Sequence, residues 1–201
     1  MKSRTATLLI AILILAATPA LASTQGTATN TISPTLAVNV TVQSAIQLTL
    51  AQNTGCAVGA GSGTDYAMNF GNVDALGINA GACGSKFVPA TPGVSNAAYY
   101  SDYKLIPAFT SQSVSTNTIK AYVSTNFAKA SLSAVYATSA PANIGALSAL
   151  SISSAAPTTL VTNATSGTAV VSYIGVEIAP TNGAGLTGAD SATITYTLTV
   201  Q

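Results

Sequence analysis

A run of alternating side chains between Leu36 and Leu50 constrains the fold more than any other feature of the sequence. The large apolar residues of this run lie on one parity, interrupted only by Ser44: Leu36, Val38, Val40, Val42, Ile46, Leu48 and Leu50. A period of two residues is typical of a β-strand with one buried face. At roughly 3.3 Å per residue the run would extend about 50 Å, which exceeds a usual strand of about 3–10 residues. The pattern therefore predicts two consecutive strands, and one of them need not pair within its own domain.

Alternation of the same kind returns later in the chain. It is clear at 119–123 and 132–136, and again at 170–178 and 192–200. The segment 144–152 fits a short helix or a strand equally well. β-Branched residues, short apolar runs and Gly-rich turns favour strands throughout. We therefore predict an all-β fold, specifically an antiparallel β-sandwich.

The first 22 residues have the features of a secretory signal peptide. Lys2 and Arg4 precede an apolar run from Leu8 to Ala17, and Ala20-Leu21-Ala22 forms a small-x-small cleavage site. The apolar run is too short to span a bilayer. We expect export, and a mature chain that begins near Ser23 and carries no membrane span.

Charged residues are scarce. They make up 5% of the chain, whereas they reach about a quarter of an average globular protein. After the predicted signal, four lysines stand against five carboxylates, which gives a formal net charge of −1. Because the chain has no basic patch, we expect it to bind neither nucleic acid nor an anionic membrane surface. Abundant Ser, Thr, Ala, Gly and Asn suit an exported surface structure that packs against copies of itself.

Cys56 and Cys83 are the only cysteines in the sequence. In an exported protein an even number of cysteines predicts a disulfide, and two free thiols are the alternative. Closing this loop would stabilise the fold by roughly 3 kcal/mol in the chain-entropy description.

The sequence lacks the side chains on which most hydrolytic enzymes rely. It has no histidine, and its five carboxylates are scattered along the chain. A Ser-His-Asp triad and a His/Cys zinc site cannot be built, and no close pair of carboxylates suggests acid–base catalysis. We expect a protein that is not an enzyme and that uses no metal and no cofactor.

Three short motifs follow one another along the chain. The alternating strand runs into Asn53-Thr54-Gly55-Cys56-Ala57-Val58, and Met68-Asn69-Phe70-Gly71-Asn72-Val73 comes next. Near the end, Gly175-Val176-Glu177-Ile178-Ala179-Pro180 precedes a connection with Gly188-Ala189-Asp190-Ser191 and a threonine-rich strand. In this order the motifs resemble those of the spore coat protein U domain and of the archaic chaperone–usher pilins.

The resemblance implies an immunoglobulin-like antiparallel β-sandwich that is incomplete, because it lacks its last strand. The strand 192–200 stops at the chain terminus, so we expect nothing after it to cover its neighbour. An open sheet edge of this kind can be filled by an extended segment of another subunit, as in chaperone–pilin complexes. The resemblance implies an exported homopolymer, either a pilus (fimbrium) with a role in cell adhesion or a surface coat. It also implies a periplasmic chaperone, an outer-membrane usher and a Gram-negative cell surface.

We accordingly divide the chain into a signal peptide (1–22), an N-terminal extension with a candidate donor strand (23–44) and a sandwich domain (45–201). The candidate donor residues, which would bind a neighbouring subunit, are Ile32, Leu36, Val38, Val40 and Val42. Each of the last four would contribute about 1.5–3 kcal/mol when buried in a neighbour, before the cost of ordering the segment. Thr35, Asn39 and Thr41 would then face outward and help to set the register.

Two other interpretations remain open. The run from Leu36 to Leu50 can be one long, bent first strand of the chain's own sandwich, with a bulge at Ser44 or Ala45. Alternatively, the domain can be a self-contained sandwich that acts as a surface adhesin or carbohydrate-binding module, with tyrosine rings as stacking faces. The only dense tyrosine cluster is Tyr99, Tyr100 and Tyr103.

Overall fold

The computed structural model describes residues 37–40, 45–56, 58–60, 66–83, 85–110, 117–180 and 187–200. Within them the chain forms eleven strands: β1 Ile46–Gln52, β2 Val58–Ala60, β3 Tyr66–Met68, β4 Ser85–Phe87, β5 Ala97–Phe109, β6 Thr118–Thr125, β7 Leu132–Ala137, β8 Ser148–Ala149, β9 Thr158–Thr162, β10 Val170–Ile178 and β11 Thr193–Thr199. A short 3₁₀ helix, Ile144–Ala146, lies between β7 and β8. No helix in these ranges is long and apolar enough to cross a membrane.

The strands build two antiparallel sheets and a small hairpin. The large sheet has the order β1-β5-β10-β7-β8, with β4 paired to β5 next to β1. The small sheet has the order β11-β6-β9, and β2 pairs with β3 in the hairpin. All of these pairings are antiparallel.

The main hydrophobic core lies between the two sheets. The large sheet contributes Tyr103, Leu105 and Ile174, and the small sheet contributes the buried inward face of β6. The residues of that face are Ile119, Ala121 and Val123. The predicted all-β sandwich is confirmed by this arrangement. The predicted strands at 119–123, 132–136, 170–178 and 192–200 correspond to β6, β7, β10 and β11.

The central strand of the large sheet is β5, which sequence reasoning did not identify because Pro107 interrupts it. β10 pairs with β5 only as far as Leu105. The missing N–H of Pro107 therefore leaves no vacant position in the β10 ladder, which is the condition under which proline is tolerated in a strand. Beyond that point β5 pairs with β1 alone, with Leu48 opposite Pro107. The segment 144–152, whose sequence fits a short helix or a strand equally well, contains both: the 3₁₀ helix and β8.

The alternating run at the front of the chain is divided. β1 begins at Ile46, whereas residues 37–40 are exposed and lie in no helix or strand. The described part of this run is therefore not one long strand. The described residues from 45 onward, which include all the strands, belong to one compact unit, and residues 37–40 belong to a separate unit. The predicted signal peptide 1–22 lies outside the described residues, as do Ile32, Leu36 and Val42 of the candidate donor segment.

Candidate functional site

One side of the sandwich, which we call the open side, ends in two strands that each have a single partner. β1 is the last strand of the large sheet and pairs only with β5 among the described residues. β11 is the last strand of the small sheet and pairs, within the same ranges, only with β6. An edge strand presents unpaired N–H and C=O groups along its free edge, which can template pairing with another chain.

The opposite side, which we call the closed side, is covered by the protein's own chain. After β8, the N–H of Leu150 donates to Ala134 O of β7 at 2.9 Å. The next residue, Ser151, accepts a hydrogen bond from the N–H of Val123 in β6 at 2.7 Å and donates its own N–H to Thr158 Oγ1 at 3.0 Å. The chain thus crosses from the large sheet to the small sheet here. Since β8 and β9 lie at this side, β1 and β11 lie at the other.

The apolar residues of the open side are only half-buried, although they pack against the main core. β1 contributes Leu48 and Leu50, and β11 contributes Ile194, Tyr196 and Leu198. By contrast, Ile119 on the inward face of β6 has no exposed surface. The open side therefore offers apolar surface together with strand edges, and an extended apolar segment needs both to bind.

A pair of tyrosines joins the two sheets at the open side. The hydroxyl of Tyr196 in β11 donates to the hydroxyl of Tyr103 in β5 at 3.2 Å, and the two rings meet edge to face with centroids 6.1 Å apart. Burial raises the pKa of Tyr196 to about 12, while its hydrogen bond with Tyr103 acts in the opposite direction. Burial raises the pKa of Tyr103 well above its usual value, and the neighbouring Tyr196 raises it further. Both hydroxyls therefore stay protonated at physiological pH, and the link between the sheets is a neutral hydrogen bond.

The end of β1 is held to β5 by a carboxylate. Asp102 accepts hydrogen bonds from Asn53 Nδ2 at 2.5 Å, Thr54 Oγ1 at 2.6 Å and the N–H of Gly55 at 2.6 Å. Burial would raise the pKa of Asp102, but the hydrogen bonds from Thr54, Asn53 and Gly55 outweigh it and lower the pKa. A Cβ at Gly55 would collide with Ser101 Oγ, so this tight approach to β5 requires glycine.

The predicted disulfide between Cys56 and Cys83 is confirmed. Its Cα atoms are 4.5 Å apart, and it closes a loop with a sequence separation of 27. Cys56 follows the turn after β1, and Cys83 precedes β4. Because β1 and β4 pair with the same edge of β5, the bridge fixes the end of one relative to the start of the other.

The start of β11 is held by a second carboxylate. Asp190 accepts hydrogen bonds from the backbone N–H groups of Ala128 at 3.2 Å and Lys129 at 2.9 Å. The ammonium of Lys129 donates to Ala189 O at 3.1 Å. These contacts attach the beginning of the edge strand to the loop between β6 and β7, so the edge is fixed in place without a partner on its free side.

The described part of the candidate donor segment carries exposed valines. Val38 and Val40 are 80% and 83% exposed. Sequence reasoning found the alternation of β1 and β11, but not that these strands border the same side. Alternation is a local signal, whereas the sheet order depends on pairing between distant residues.

Comparison with known proteins adds no further constraint. The chain matches no protein-family model, no curated protein and no solved structure.

Proposed function

We propose that the protein is an exported structural subunit that polymerises by accepting a β-strand from another copy at its open side. The single observation that supports this most directly is the pair of edge strands β1 and β11, which border one side of the sandwich with half-buried apolar residues. An inserted strand would pair with the free edge of β11 and cover Leu50 and Leu198 in the same step.

The donated strand is the segment 32–42 of a neighbouring copy. Its four apolar residues of one parity, from Leu36 to Val42, match the period-two apolar face that the open side exposes. Burying them would stabilise the contact by on the order of 6–12 kcal/mol before ordering costs. Each main-chain hydrogen bond to the edge would add about 0.5–1.5 kcal/mol. A contact of this size is long-lived, as a structural polymer requires.

The positions of the strand ends favour one direction for the donated strand. β1 starts opposite Phe109, and β11 finishes opposite Thr118. These positions share one end of the sandwich, because Ser166 Oγ bonds to Phe109 and the nearby N–H of Ala164 donates to Asn117 O. A segment that runs antiparallel to β11 leaves at the other end and places its own subunit there. A parallel segment would crowd every subunit at the same end, so only the antiparallel direction allows a linear chain.

The resemblance of the sequence motifs supplies a biological context for such a subunit. In that context the sandwich is immunoglobulin-like, the assembly is a pilus or a surface coat, and a periplasmic chaperone covers the open side until an outer-membrane usher delivers the next subunit. The Cys56–Cys83 disulfide suits an oxidising compartment such as the periplasm. The scarcity of charge suits close packing between identical subunits.

The test compares Val40→Asp with Asn39→Asp in the chain that begins at Ser23. Both variants add one carboxylate to the donor segment, but Val40 lies on its apolar parity and Asn39 on its polar one. We expect Val40→Asp to abolish filaments, because a buried unpaired charge is costly, and we expect Asn39→Asp to assemble normally. Electron microscopy and size-exclusion chromatography with light scattering measure the outcome.

Removing residues 23–42 should give a folded monomer. Normal filaments from Val40→Asp, or from the truncated chain, would contradict the proposal.

A further inference from the structure

A second candidate site lies on the outer face of the large sheet, on the side away from the main core. A pocket of about 380 Å³ opens there, within the range of about 300–1,000 Å³ that small-ligand sites occupy. The residues that line it include Tyr100, Tyr173 and Asp102. No residue of β1 or β11 lines this pocket, although Asp102 also holds the end of β1.

The sheet register brings the three side chains together. Tyr173 of β10 lies directly opposite Asp102 of β5, and Tyr100 lies two residues before Asp102 on the same strand. All three therefore share one face, where directly opposed residues have Cβ atoms about 4.5–5.5 Å apart. The rings of Tyr100 and Tyr173 have centroids 6.4 Å apart and meet at 61°. Phe87 stacks on Tyr100 at 5.0 Å and holds its ring in place.

The carboxylate of Asp102 is charged, but it has little capacity left to accept hydrogen bonds. Its Oδ1 accepts from the N–H groups of Thr54 and Gly55, and its Oδ2 accepts from Asn53 Nδ2 and Thr54 Oγ1. Four such bonds use about all the lone-pair positions of a carboxylate. All four donors are uncharged groups, and Lys104 lies two residues further along the same face of β5. The negative charge is thus held in place by neutral donors.

A ligand for this pocket should supply positive charge without needing to donate a hydrogen bond. Ammonium and guanidinium groups carry N–H donors, and sugars carry O–H donors, so each of them needs free acceptors in its site. A quaternary ammonium group has no N–H, and it is attracted both to a carboxylate and to the faces of aromatic rings. We propose that the Tyr100–Asp102–Tyr173 pocket binds a quaternary ammonium group. The group can belong to a free solute such as choline or to the headgroup of phosphatidylcholine, since the cationic part is the same.

Saturation-transfer difference NMR on the N-methyl signal of choline tests this proposal. The method observes the small ligand, so it works with the intact chain whether or not that chain is polymeric. The control ligand is 3,3-dimethyl-1-butanol, which has the shape of choline without its charge. We expect choline to bind about tenfold or more tightly than this neutral alcohol.

Three variants identify the site. Tyr173→Leu removes the ring and keeps apolar bulk, and should weaken choline binding by about fivefold or more. Tyr173→Phe keeps the ring and should bind choline as the unaltered chain does. Tyr122→Leu is the matched control, because Tyr122 is a half-buried tyrosine on β6 of the other sheet. Circular dichroism establishes that each variant is folded. If Tyr173→Leu does not fold, the affinities of Tyr173→Phe for choline and for the neutral alcohol still test the proposal.

Vesicle co-sedimentation separates the two sources of the ligand. Binding to phosphatidylcholine vesicles but not to phosphatidylglycerol vesicles, lost in Tyr173→Leu, assigns the site to a lipid headgroup. Binding of choline without binding to either vesicle assigns it to a free solute. Equal affinity for choline and its neutral analogue, or unchanged choline binding in Tyr173→Leu, would overturn the proposal. None of these results depends on whether filaments form.

Discussion

The two sides of the sandwich are built from the same kinds of residue but are finished differently. On the closed side, Leu150 and Leu160 are 4% and 6% exposed, because the chain crosses from one sheet to the other there. On the open side, Leu50 and Leu198 remain half-buried, and no described segment connects β1 to β11. Leucine in an edge strand is therefore not enough to close a sandwich. The burial of these side chains depends on whether another segment covers the edge.

A strand edge can be uncovered and still be rigid. The edges of the open side are uncovered but firmly attached, through the disulfide and Asp102 at the end of β1 and through Asp190 at the start of β11. A fixed edge gives up less conformational freedom when a partner strand arrives than a frayed edge would. The edges of the open side are thus already fixed before any strand is added, as our proposal requires, whereas on the closed side the chain itself crosses between the short terminal strands β8 and β9.

The largest expected difference between the two sides is the cost of removing one leucine from each. In the Val40→Asp chain, which we expect to be monomeric, Leu160→Ala should lower the free energy of unfolding by about 2–5 kcal/mol, because it leaves a cavity in a closed core. Leu198→Ala should cost about 1 kcal/mol or less, because its side chain is already partly exposed and solvent can fill the space. Urea denaturation measures both values. Equal losses would mean that the open side is packed as well as the closed side, and the strand-acceptor interpretation would lose its basis.

Local sequence pattern was sufficient to predict part of this architecture. β10 and β11 alternate cleanly, and the export signal made the Cys56–Cys83 bridge an expected pairing. β5 was missed because Pro107 interrupts its pattern. Its inward parity is buried, as at Tyr99 and Leu105, whereas its outer parity mixes Ala98 with the charged residues Asp102 and Lys104. A proline within an apolar run argues against a central strand, so the run was not identified as one.

The candidate sites were less predictable than the strands. The outer pocket depends on Tyr173 lying opposite Asp102, which are 71 residues apart in the sequence. The open side depends on β1 and β11 ending different sheets at the same side. Neither relation has a local signature, because register and sheet order are set by long-range pairing. Only the shared apolar parity of the donor segment and β1 suggested that some strand was in excess.

The next largest effect concerns the attachment of β1. Replacing both Cys56 and Cys83 with serine should lower the free energy of unfolding by roughly 3 kcal/mol, because the unfolded chain regains the freedom of the closed loop. We also expect faster amide hydrogen exchange in β1 than in β11, since Asp190 still holds the latter. Chemical denaturation and exchange mass spectrometry measure these two outcomes. A variant with unchanged stability and uniform exchange would show that the carboxylate contacts of Asp102 fix the open side without the disulfide.

The smallest expected effect concerns the hydrogen bond between Tyr103 and Tyr196, which is the link between the two sheets at the open side. Each single change to phenylalanine removes one hydroxyl and leaves the other without its partner, so each should cost about 1–3 kcal/mol. The double variant should cost less than the sum of the two, with a coupling energy of about 0.5–1.5 kcal/mol. Thermal and urea unfolding of the four chains completes the cycle, and a coupling energy of zero would mean that the two hydroxyls act independently.

The same tyrosines predict how stability responds to alkaline pH. Burial raises the pKa of Tyr196 to about 12 in the folded chain, whereas an exposed tyrosine in the unfolded chain titrates near pH 10. The unfolded state therefore loses its proton first, and stability should be fully present below about pH 10 and fall as the pH rises toward 12. Tyr196→Phe should flatten this decline, although the raised pKa of Tyr103 retains part of it.

A strand inserted at the open side would shield these hydroxyls further from water, so polymerised protein should show a steeper alkaline loss of stability than the Val40→Asp monomer. An identical pH profile for the two forms would indicate that assembly covers a different surface.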